Sequence, residues 1–325
     1  MFRLARSGGA AAAALALALA LAPLVAGAVT AGCGPTYVAR TDSSADAAPP
    51  GTDATVPPTD AGPPGPPAFA LAAWNIEQFP MTPTTIDSVV ELLLAMDVQL
   101  VGVEEIADTA AFETLVSRLP GWDGIYAAEG DGFFRVGMLW RTDRVQVSGI
   151  ELLFETDSWA FPRPVLKADI VASEPGVPGA FDFTFLVVHL KAQTDAESRE
   201  RRRLAVIALE QYLGTELSAG LEDDFVIAGD WNDQLTDAPL DNVFLPFIDN
   251  PEAYTFLTLP LEQAGGATYI PFDSFLDHVL VTAGALDEYG AGGTTEVLEL
   301  DAAFFGYVST VSDHRPVRTT FAMPY

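Results

Sequence analysis

Polar side chains that could bind a divalent cation recur where predicted β-strands end. Asn75, Glu104-Glu105 and Asp230 each follow a short run of apolar residues. Loops at strand ends present side chains to a substrate from a rigid sheet. Hydrolysis of a phosphate ester needs a hard cation to neutralise the phosphate, and Mg²⁺ prefers carboxylate and amide oxygens together with water. The sequence therefore predicts a cation site built from Glu105, Asn75 and Asp230.

A second set of residues could move a proton. The chain has 3 histidines, His189, His278 and His314, and each lies in a run at the end of a predicted strand. An imidazole can activate water when a carboxylate holds it in one tautomer, and His314 with Asp277 fits these roles. His278 follows Asp277 directly in the strand, so its side chain should face the opposite side of the sheet. We therefore leave His278 out of the predicted site.

These residues belong to short runs that resemble the motifs of the endonuclease/exonuclease/phosphatase superfamily, the deoxyribonuclease-I-like fold. One such run alone is a weak signal, but their complete and correctly ordered set is specific. The resemblance covers essentially the whole of residues 69–325. The matching runs are Trp74-Asn75-Ile76, Val103-Glu104-Glu105-Ile106, Arg163-Pro164-Val165-Leu166, His189-Leu190-Lys191, Gly229-Asp230-Trp231-Asn232, Leu276-Asp277-His278-Val279 and Ser312-Asp313-His314-Arg315-Pro316-Val317.

The resemblance implies metal ligands. In that family the position matching Glu105 holds the metal directly, and the asparagine matching Asn75 helps it. Asp313 matches a metal ligand or a ligand of a second metal site. The implied cofactor is Mg²⁺, with Mn²⁺ or Ca²⁺ as alternatives, because the donors are hard oxygen atoms.

The resemblance also implies catalytic roles. The position of His314 is the general base or a phosphate-binding histidine, and the position of Asp277 holds it in place. Asp230 and Asn232 match residues that orient the nucleophile and the phosphate.

Three positions match residues near the substrate phosphate. His189 matches a histidine that contacts the scissile phosphate, Arg163 matches an arginine near the substrate, and Asn232 also matches a residue at the phosphate.

Two positions depart from the family pattern. Glu104 stands where the family usually has glutamine, and Trp231 replaces the phenylalanine of the Gly-Asp-Phe-Asn motif. The first departure makes the choice between the two adjacent glutamates depend on register, although strand alternation sends only one of them into the site.

The elements that must position these residues are short β-type runs that alternate with amphipathic helical patterns. Since no linker-like segment interrupts these elements, we expect one domain over 69–325. The resemblance implies an α/β (α+β) fold, a four-layer α/β/β/α sandwich of two mixed β-sheets flanked by helices, with the site at one end of the sheets. The predicted strands are 69–74, 99–103, 136–140, 166–171, 181–189, 225–228, 275–281 and 317–321, and the predicted helices are 84–96, 110–119 and 196–213.

The third predicted helix carries both an apolar row and the chain's concentrated basic patch. The patch could bind phosphate, but a solvated face that forms i,i+4 pairs with acidic neighbours is the favoured interpretation. The apolar row expected to face the core is Leu204, Ile207, Ala208 and Tyr212, and the basic patch is Arg199, Arg201, Arg202 and Arg203.

The N-terminal part of the chain predicts export. Residues 1–33 have a positive start and an Ala/Leu run typical of a signal peptide. They end in Thr30-Ala31-Gly32-Cys33, which resembles the lipobox of bacterial lipoproteins and predicts lipidation of Cys33. Secretory cleavage with a free thiol and an uncleaved membrane anchor are the alternatives. Residues 34–68, rich in Pro, Ala and Thr, predict a disordered tether. We expect a protein that is lipid-anchored to the bacterial cell envelope or secreted.

The charge of the chain narrows the partners. Its 16 Lys and Arg against 45 Asp and Glu give a formal net charge of -29, and such a field repels duplex DNA. We expect a monomer that contacts a membrane only through its lipid anchor.

We expect a metal-dependent phosphoric ester hydrolase, with a phosphodiesterase or nuclease favoured. Two alternatives stay open. One is a surface-displayed binding module with the same fold and no activity, and the other is a phosphomonoesterase acting on inositol or lipid-derived phosphates.

Overall fold

The computed structural model describes residues 37–39, 68–128, 134–174 and 177–322. The predicted signal peptide, Cys33 and most of the predicted tether lie outside these residues.

The strands are β1 Tyr37–Ala39, β2 Ala68–Phe79, β3 Leu100–Ile106, β4 Trp122–Ala127, β5 Arg135–Arg141, β6 Val145–Leu153, β7 Val165–Glu174, β8 Val177–His189, β9 Phe225–Asp230, β10 Tyr254–Phe256, β11 Asp277–Thr282, β12 Thr294–Val297 and β13 Val317–Ala322. The helices are α1 Thr85–Ala95, α2 Thr109–Arg118, α3 Ala196–Ala219, α4 Leu245–Ile248, α5 Leu259–Gln263, α6 Ala283–Tyr289, α7 Leu300–Ala303 and α8 Tyr307–Thr310.

The strands form two mixed sheets that pack face to face. Sheet A has the order β1-β4-β5-β3-β2-β13-β12, and sheet B has the order β10-β11-β9-β8-β7-β6. Within them β2 pairs with β3 and β8 with β9 in parallel, and the other pairs are antiparallel. Helices α1 and α2 pack on the outer face of sheet A, and α3 packs on the outer face of sheet B. This arrangement confirms the predicted four-layer sandwich.

Aromatic side chains fill the layer between the sheets. The ring centroid of Phe69 on sheet A lies 5.7 Å from that of Phe183 on sheet B, and the ring centroids of Phe181 and Phe321 are 5.1 Å apart. All four side chains are buried. Burial of each one contributes roughly 1.5 to 3 kcal/mol, so this layer holds the two sheets at a set distance.

Strand alternation carries the inner face of each sheet up to a polar end. On β2 the inward residues Leu71 and Ala73 lie in the core between the sheets, and the next inward position is Asn75. On β9 the inward Ala228 is followed by Asp230. Side chains alternate between the two faces of β11 as well, so Asp277 faces inward like the valines that follow it at alternate positions. One end of the core between the sheets is therefore lined with polar side chains.

The register of α3 differs from the predicted one. Leu204 is 38% exposed, and the predicted inward row is wrong by about one position. The reason is Arg202, which the pattern treats as solvated but which is buried and bonds to Asp233 across 2.8 Å. The row that faces sheet B is Ser198, Arg202, Ala205, Val206, Leu209 and Leu213.

The arginines of α3 also differ from the favoured interpretation. Arg199 pairs with Asp241, Arg202 pairs with Asp233, and Arg203 pairs with Glu200 at i,i+3 spacing. Among the described residues, none of these ion pairs has the expected i,i+4 spacing. These side chains therefore tie α3 to the loops around it.

The eight predicted strands all occur, and the structure adds β1, β4, β6, β10 and β12. These five lie at or near sheet edges, where half-exposed residues weaken the apolar pattern, as along β6. β1 lies inside the segment predicted to be a tether and pairs antiparallel with β4. Its Tyr and Val favour a strand. Among the described residues, no helix is long and apolar enough to cross a membrane.

A cluster of acidic residues precedes β9, at the end of sheet B away from the polar end. Burial first, and then the carboxylates of Glu288, Glu222 and Asp223, raise the pKa of Asp224 to about 7. Because the folded state holds this proton more tightly than the unfolded chain, stability is highest below the ordinary Asp pKa and falls as the pH rises towards 7.

We predict that Asp224→Asn raises the melting temperature at pH 8 by about 2 to 4 °C, after allowance for solvent screening of a half-exposed group. The gain should shrink at pH 5, where Asp224 of the wild type is largely protonated. Differential scanning calorimetry at both pH values measures it. Glu91→Gln, which neutralises an exposed carboxylate on α1, serves as the control. Equal gains for both variants at pH 8 would contradict the assigned cause.

Candidate active site

The predicted site residues meet at the polar end of the layer between the sheets. Contacts of 4.0 Å or less join most of them to one another directly, and shared hydrogen-bond partners join the rest. Cys33 lies outside the described residues. The residues brought together are Asn75, Glu105, Arg163, His189, Asp230, Asn232, Asp277, Asp313 and His314.

His314 and Asp277 form a buried pair. The Nδ1 atom of His314 lies 2.8 Å from Oδ2 of Asp277, and its Nε2 atom lies 4.0 Å from Oδ2 of Asp230. Burial disfavours the imidazolium, but the carboxylates of Asp277, Asp230 and Asp313 outweigh it and raise the pKa of His314 to about 10. The bond to Asp277 leaves Nε2 as the nitrogen that faces the other site residues.

The loop that carries His314 is tied to β2. The hydroxyl of Ser312 donates to the carbonyl oxygen of Asn75 at 2.6 Å and accepts from the backbone N–H of His314 at 2.9 Å. The hydroxyl of Tyr307 donates to the carbonyl of His314 at 2.6 Å and accepts from Nε1 of Trp74 at 2.9 Å. These bonds fix the position of the imidazole relative to sheet A.

Asn75 and Asp230 form the floor of the site. The Nδ2 atom of Asn75 donates to Oδ2 of Asp230 at 3.1 Å and to Oε1 of Glu105 at 3.4 Å. Both Asn75 and Asp230 are buried. Burial, with a further contribution from Asp277, raises the pKa of Asp230. The amide of Asn75 therefore holds the carboxylates from sheet A and sheet B in one cluster.

The two adjacent glutamates take different positions because β3 is irregular there. Its register with β5 shifts between Val103 and Ile106, and Glu105 has a φ of 64°, a conformation that costs a non-glycine residue about 1–3 kcal/mol. The side chain of Glu105 lies in the site and accepts from the backbone N–H of Gln78 at 3.0 Å. Glu104 is fully buried beneath it. Of the two glutamates, Glu105 is therefore the one whose carboxylate could face a metal ion.

The environment of Glu104 favours its neutral form. Burial, followed by the charges of Asp277 and Asp230, raises its pKa well above the ordinary value. Neither carboxyl oxygen has a hydrogen-bond partner among the described residues. A neutral carboxylic acid is close in shape and polarity to the glutamine that the family usually has at this position.

Glu77 also lies in the site, although its sequence context predicts no specific role for it. Its Oε2 atom accepts from the backbone N–H of Asp313 at 2.9 Å, and burial together with Asp313 and Glu105 raises its pKa to about 7. The available signal was its position two residues after Asn75. That spacing alone did not suffice, because the chain turns there, with positive φ angles at Glu77 and Gln78.

The opposite side of the site carries a neutral histidine and a buried arginine. Burial, followed by the charges of Arg163 and His314, lowers the pKa of His189 well below its ordinary value. Nη1 of Arg163 and Nδ2 of Asn232 both donate to the carbonyl oxygen of Leu190, at 3.4 and 3.3 Å. His189, Arg163 and Asn232 therefore offer hydrogen-bond donors on one side of the cluster.

His278 lies away from this cluster. Its Nδ1 atom is 3.1 Å from the hydroxyl of Thr258, and its Nε2 atom is 2.9 Å from the carbonyl oxygen of Asp233. Both contacts are on the outer face of sheet B, so His278 fills a structural position.

The oxygen atoms of the site fit a hard divalent cation. Glu77, Glu105 and Asp313 repel one another, and burial together with Glu105 raises the pKa of Asp313. A cation relieves such repulsion, and a donor set of carboxylate and amide oxygens without sulfur suits Mg²⁺, Mn²⁺ or Ca²⁺. Glu105, Asn75 and Asp313 would hold the ion, with Glu77 beside them.

A second group, formed by Asp230, Asp277 and His314, also brings possible ligand atoms within 4.8 Å of one another. We assign it to proton transfer, because Nδ1 of His314 and Oδ2 of Asp277 already bond to each other and only Nε2 of His314 is left to face the other site residues.

The family comparison agrees with this geometry. Residues 72–314 match the model of the Endonuclease/Exonuclease/phosphatase family. The chain belongs to this family, whose members are hydrolases that act on phosphate esters and generally use divalent metals. No curated protein matches the chain significantly.

Solved structures show the same fold at low identity. D. rerio TDP2 complexed with single strand DNA product has 15% identity and a TM-score of 0.56, over 78% of this chain and 98% of that one. The mannosyl-6-phosphatase Bt3783 of Bacteroides thetaiotaomicron has 16% identity and a TM-score of 0.55, over 77% and 98%. The human Nocturnin catalytic domain with bound sulfate has 17% identity and a TM-score of 0.57, over 79% and 95%.

We predict that Glu105→Gln weakens Mn²⁺ binding by at least about tenfold, because it removes the carboxylate charge that faces the ion. Glu104→Gln is the matched control, since it replaces a fully buried carboxyl group by an amide of similar shape one residue away, and it should leave the affinity nearly unchanged. Isothermal titration calorimetry measures both variants. A larger loss for Glu104→Gln than for Glu105→Gln would reverse our assignment of the two glutamates.

Proposed function

We propose that the protein is an exported, divalent-metal-dependent phosphodiesterase. The observation that carries this proposal is the His314–Asp277 pair, which faces Asp230 beside an oxygen-rich set of ligands. The His314–Asp277 pair can move a proton, and the oxygen ligands can hold a cation that neutralises a phosphate. Hydrolysis of a phosphate ester needs both. Membership of a family of phosphate-ester hydrolases supports it.

The side chains suggest how the reaction would proceed. A divalent cation held by Glu105, Asn75 and Asp313 would neutralise the phosphate and offset the carboxylates that favour the imidazolium of His314. Nε2 of His314 would then accept a proton from water while the water oxygen bonds to phosphorus. Asp277 keeps the imidazole in one tautomer and stabilises the imidazolium that forms.

The donors on the other side would hold the phosphate. His189 in its neutral form can donate one hydrogen bond to a phosphoryl oxygen, and Arg163 adds a positive charge. Asn232 lies beside Asp230, whose Oδ1 accepts from the backbone N–H of Asn232 at 2.9 Å. These groups stabilise the charge that develops as the bond between phosphorus and the departing ester oxygen breaks.

Export and lipid anchoring are part of the proposal. The support is the positive, Ala/Leu-rich start of the chain and the lipobox-like run that ends at Cys33. Globomycin, which blocks lipoprotein signal cleavage, should cause an uncleaved form to accumulate in a bacterial host. Processing that persists in a Cys33→Ala variant and ignores the inhibitor would instead indicate ordinary secretory cleavage.

We predict that the purified protein hydrolyses bis(p-nitrophenyl) phosphate with Mg²⁺ or Mn²⁺ and loses this activity in chelator. His314→Ala should lower kcat by about a hundredfold or more, because it removes the group that accepts the proton. Release of p-nitrophenolate measures the rate. Full activity of His314→Ala would refute the assigned role.

Asp277→Asn tests the orienting carboxylate, and we expect it to lower kcat by a similar factor, since the amide cannot stabilise the imidazolium. Asp273→Asn is its matched control, because Asp273 is exposed on the loop before β11 and has no assigned contact with the site. Equal rates for the two variants would show that the pair does not act in catalysis. Hydrolysis of p-nitrophenyl phosphate in preference to the diester would favour a phosphomonoesterase.

A further inference from the structure

An exposed aromatic side chain lies on the loop that leads to Arg163. Trp159, between β6 and β7, is 51% exposed. The guanidinium of Arg201 on α3 lies over its ring, with Cζ 4.7 Å from the ring centroid. Nε of Arg201 donates to the carbonyl oxygen of Trp159 at 2.6 Å, and Nη2 donates to that of Ser158 at 3.2 Å. These bonds fix the loop against α3 and leave half of the indole open to solvent.

This pair lies at the same end of sheet B as the catalytic cluster. The loop precedes β7, whose Leu166 is paired with Val187 near the end of β8, and β8 ends at His189. Burial, and then the charge of Arg201, lowers the pKa of Lys191, and Arg201 also contributes to lowering the pKa of Arg163. Arg201, Lys191 and Arg163 are therefore near enough to repel one another.

The basic side chains of this group bond to the backbone and form no short ion pairs with other described residues. Many other basic side chains in the described part pair with a carboxylate, as Arg199 does with Asp241. By contrast, the side chains of Arg163, Lys191 and Arg201 donate hydrogen bonds to backbone carbonyls. No ion pair joins any of these three to a carboxylate of the described residues. In a chain of net charge -29, three neighbouring cations that interact with Glu105, Asp230 and Asp195 only beyond ion-pair distance indicate a place where an anion binds.

We propose that Trp159, Arg201 and Lys191 form a subsite that binds the nucleotide next to the scissile phosphate of a single-stranded nucleic acid. The base stacks on the open part of the Trp159 ring, and Arg201 and Lys191 bind the adjoining phosphate. This inference rests on the proposed phosphodiesterase function and specifies its substrate class.

The combination of groups favours this ligand over the other phosphate esters. Every nucleobase has an aromatic face, and stacking on an aromatic side chain contributes about 1–3 kcal/mol per base. A strand also supplies a second phosphate beside the scissile one, which a sugar monophosphate lacks. A duplex hides the faces of its bases and meets the repulsion of an acidic chain, so a single strand fits better.

The test compares two ligands of equal charge. Fluorescence anisotropy measures binding of a labelled oligothymidylate and of an abasic oligomer of the same length, in chelator so that neither is cleaved. Trp159→Ala should weaken binding of the oligothymidylate by about tenfold, and it should weaken binding of the abasic oligomer far less. Arg201→Gln should weaken binding of both, because both carry the phosphates.

The controls separate this subsite from general effects. Leu221→Ala removes an exposed apolar side chain just after α3, and Arg141→Gln removes an exposed cation at the end of β5. Both should bind like the wild type. Equal wild-type affinity for the two oligomers, or unchanged binding by Trp159→Ala, would overturn the inference.

Hydrolysis of bis(p-nitrophenyl) phosphate by the wild type distinguishes failure of the subsite from failure of the function. If bis(p-nitrophenyl) phosphate is cleaved while Trp159→Ala leaves oligothymidylate binding unchanged, only the proposed subsite is wrong. If this diester is not cleaved at all, the phosphodiesterase proposal fails.

Discussion

The hydrogen bond between His314 and Asp277 depends on the spacing of the two sheets. His314 precedes β13 of sheet A, and Asp277 begins β11 of sheet B, yet Nδ1 and Oδ2 are 2.8 Å apart. Stacked sheets pack about 10 Å apart, so side chains from facing strands can meet between them. The phenylalanines that fill the core therefore set the geometry of the His314–Asp277 pair, although none of them belongs to the candidate site.

The distribution of charge gives the site two unlike sides. Carboxylates from both sheets crowd around Glu105 and Asp230, and burial raises the pKa values of several of them because water cannot screen their repulsion. Arg163, Lys191 and Arg201 lie on the other side. An anionic ligand that binds together with a cation suits this arrangement. The cation neutralises the carboxylates, and the anion neutralises the basic side chains. A strongly acidic chain can thus act on an anionic substrate.

The sequence could predict the sandwich and its site because ordered motifs at strand ends identify both the strands and the residues they present. The apolar pattern alone does not rank Glu104 against Glu105, because an irregular register between β3 and β5 decides that choice; the family resemblance selects Glu105. Arg202 shows a second limit. A periodic pattern counts an arginine as polar and places it on the solvent side of a helix. The buried partner Asp233 instead holds Arg202 on the side of α3 that faces sheet B, so the buried face of the helix differs from the predicted one.

The short strand β1 has a role that its length does not suggest. Tyr37–Ala39 covers the outer edge of β4, and an uncovered edge strand offers free N–H and C=O groups to another chain. A protein shortened to begin at residue 68 would keep every residue of the candidate site, but it would expose this edge to intermolecular strand pairing. The three residues of β1 therefore shield an edge of sheet A from pairing with another chain.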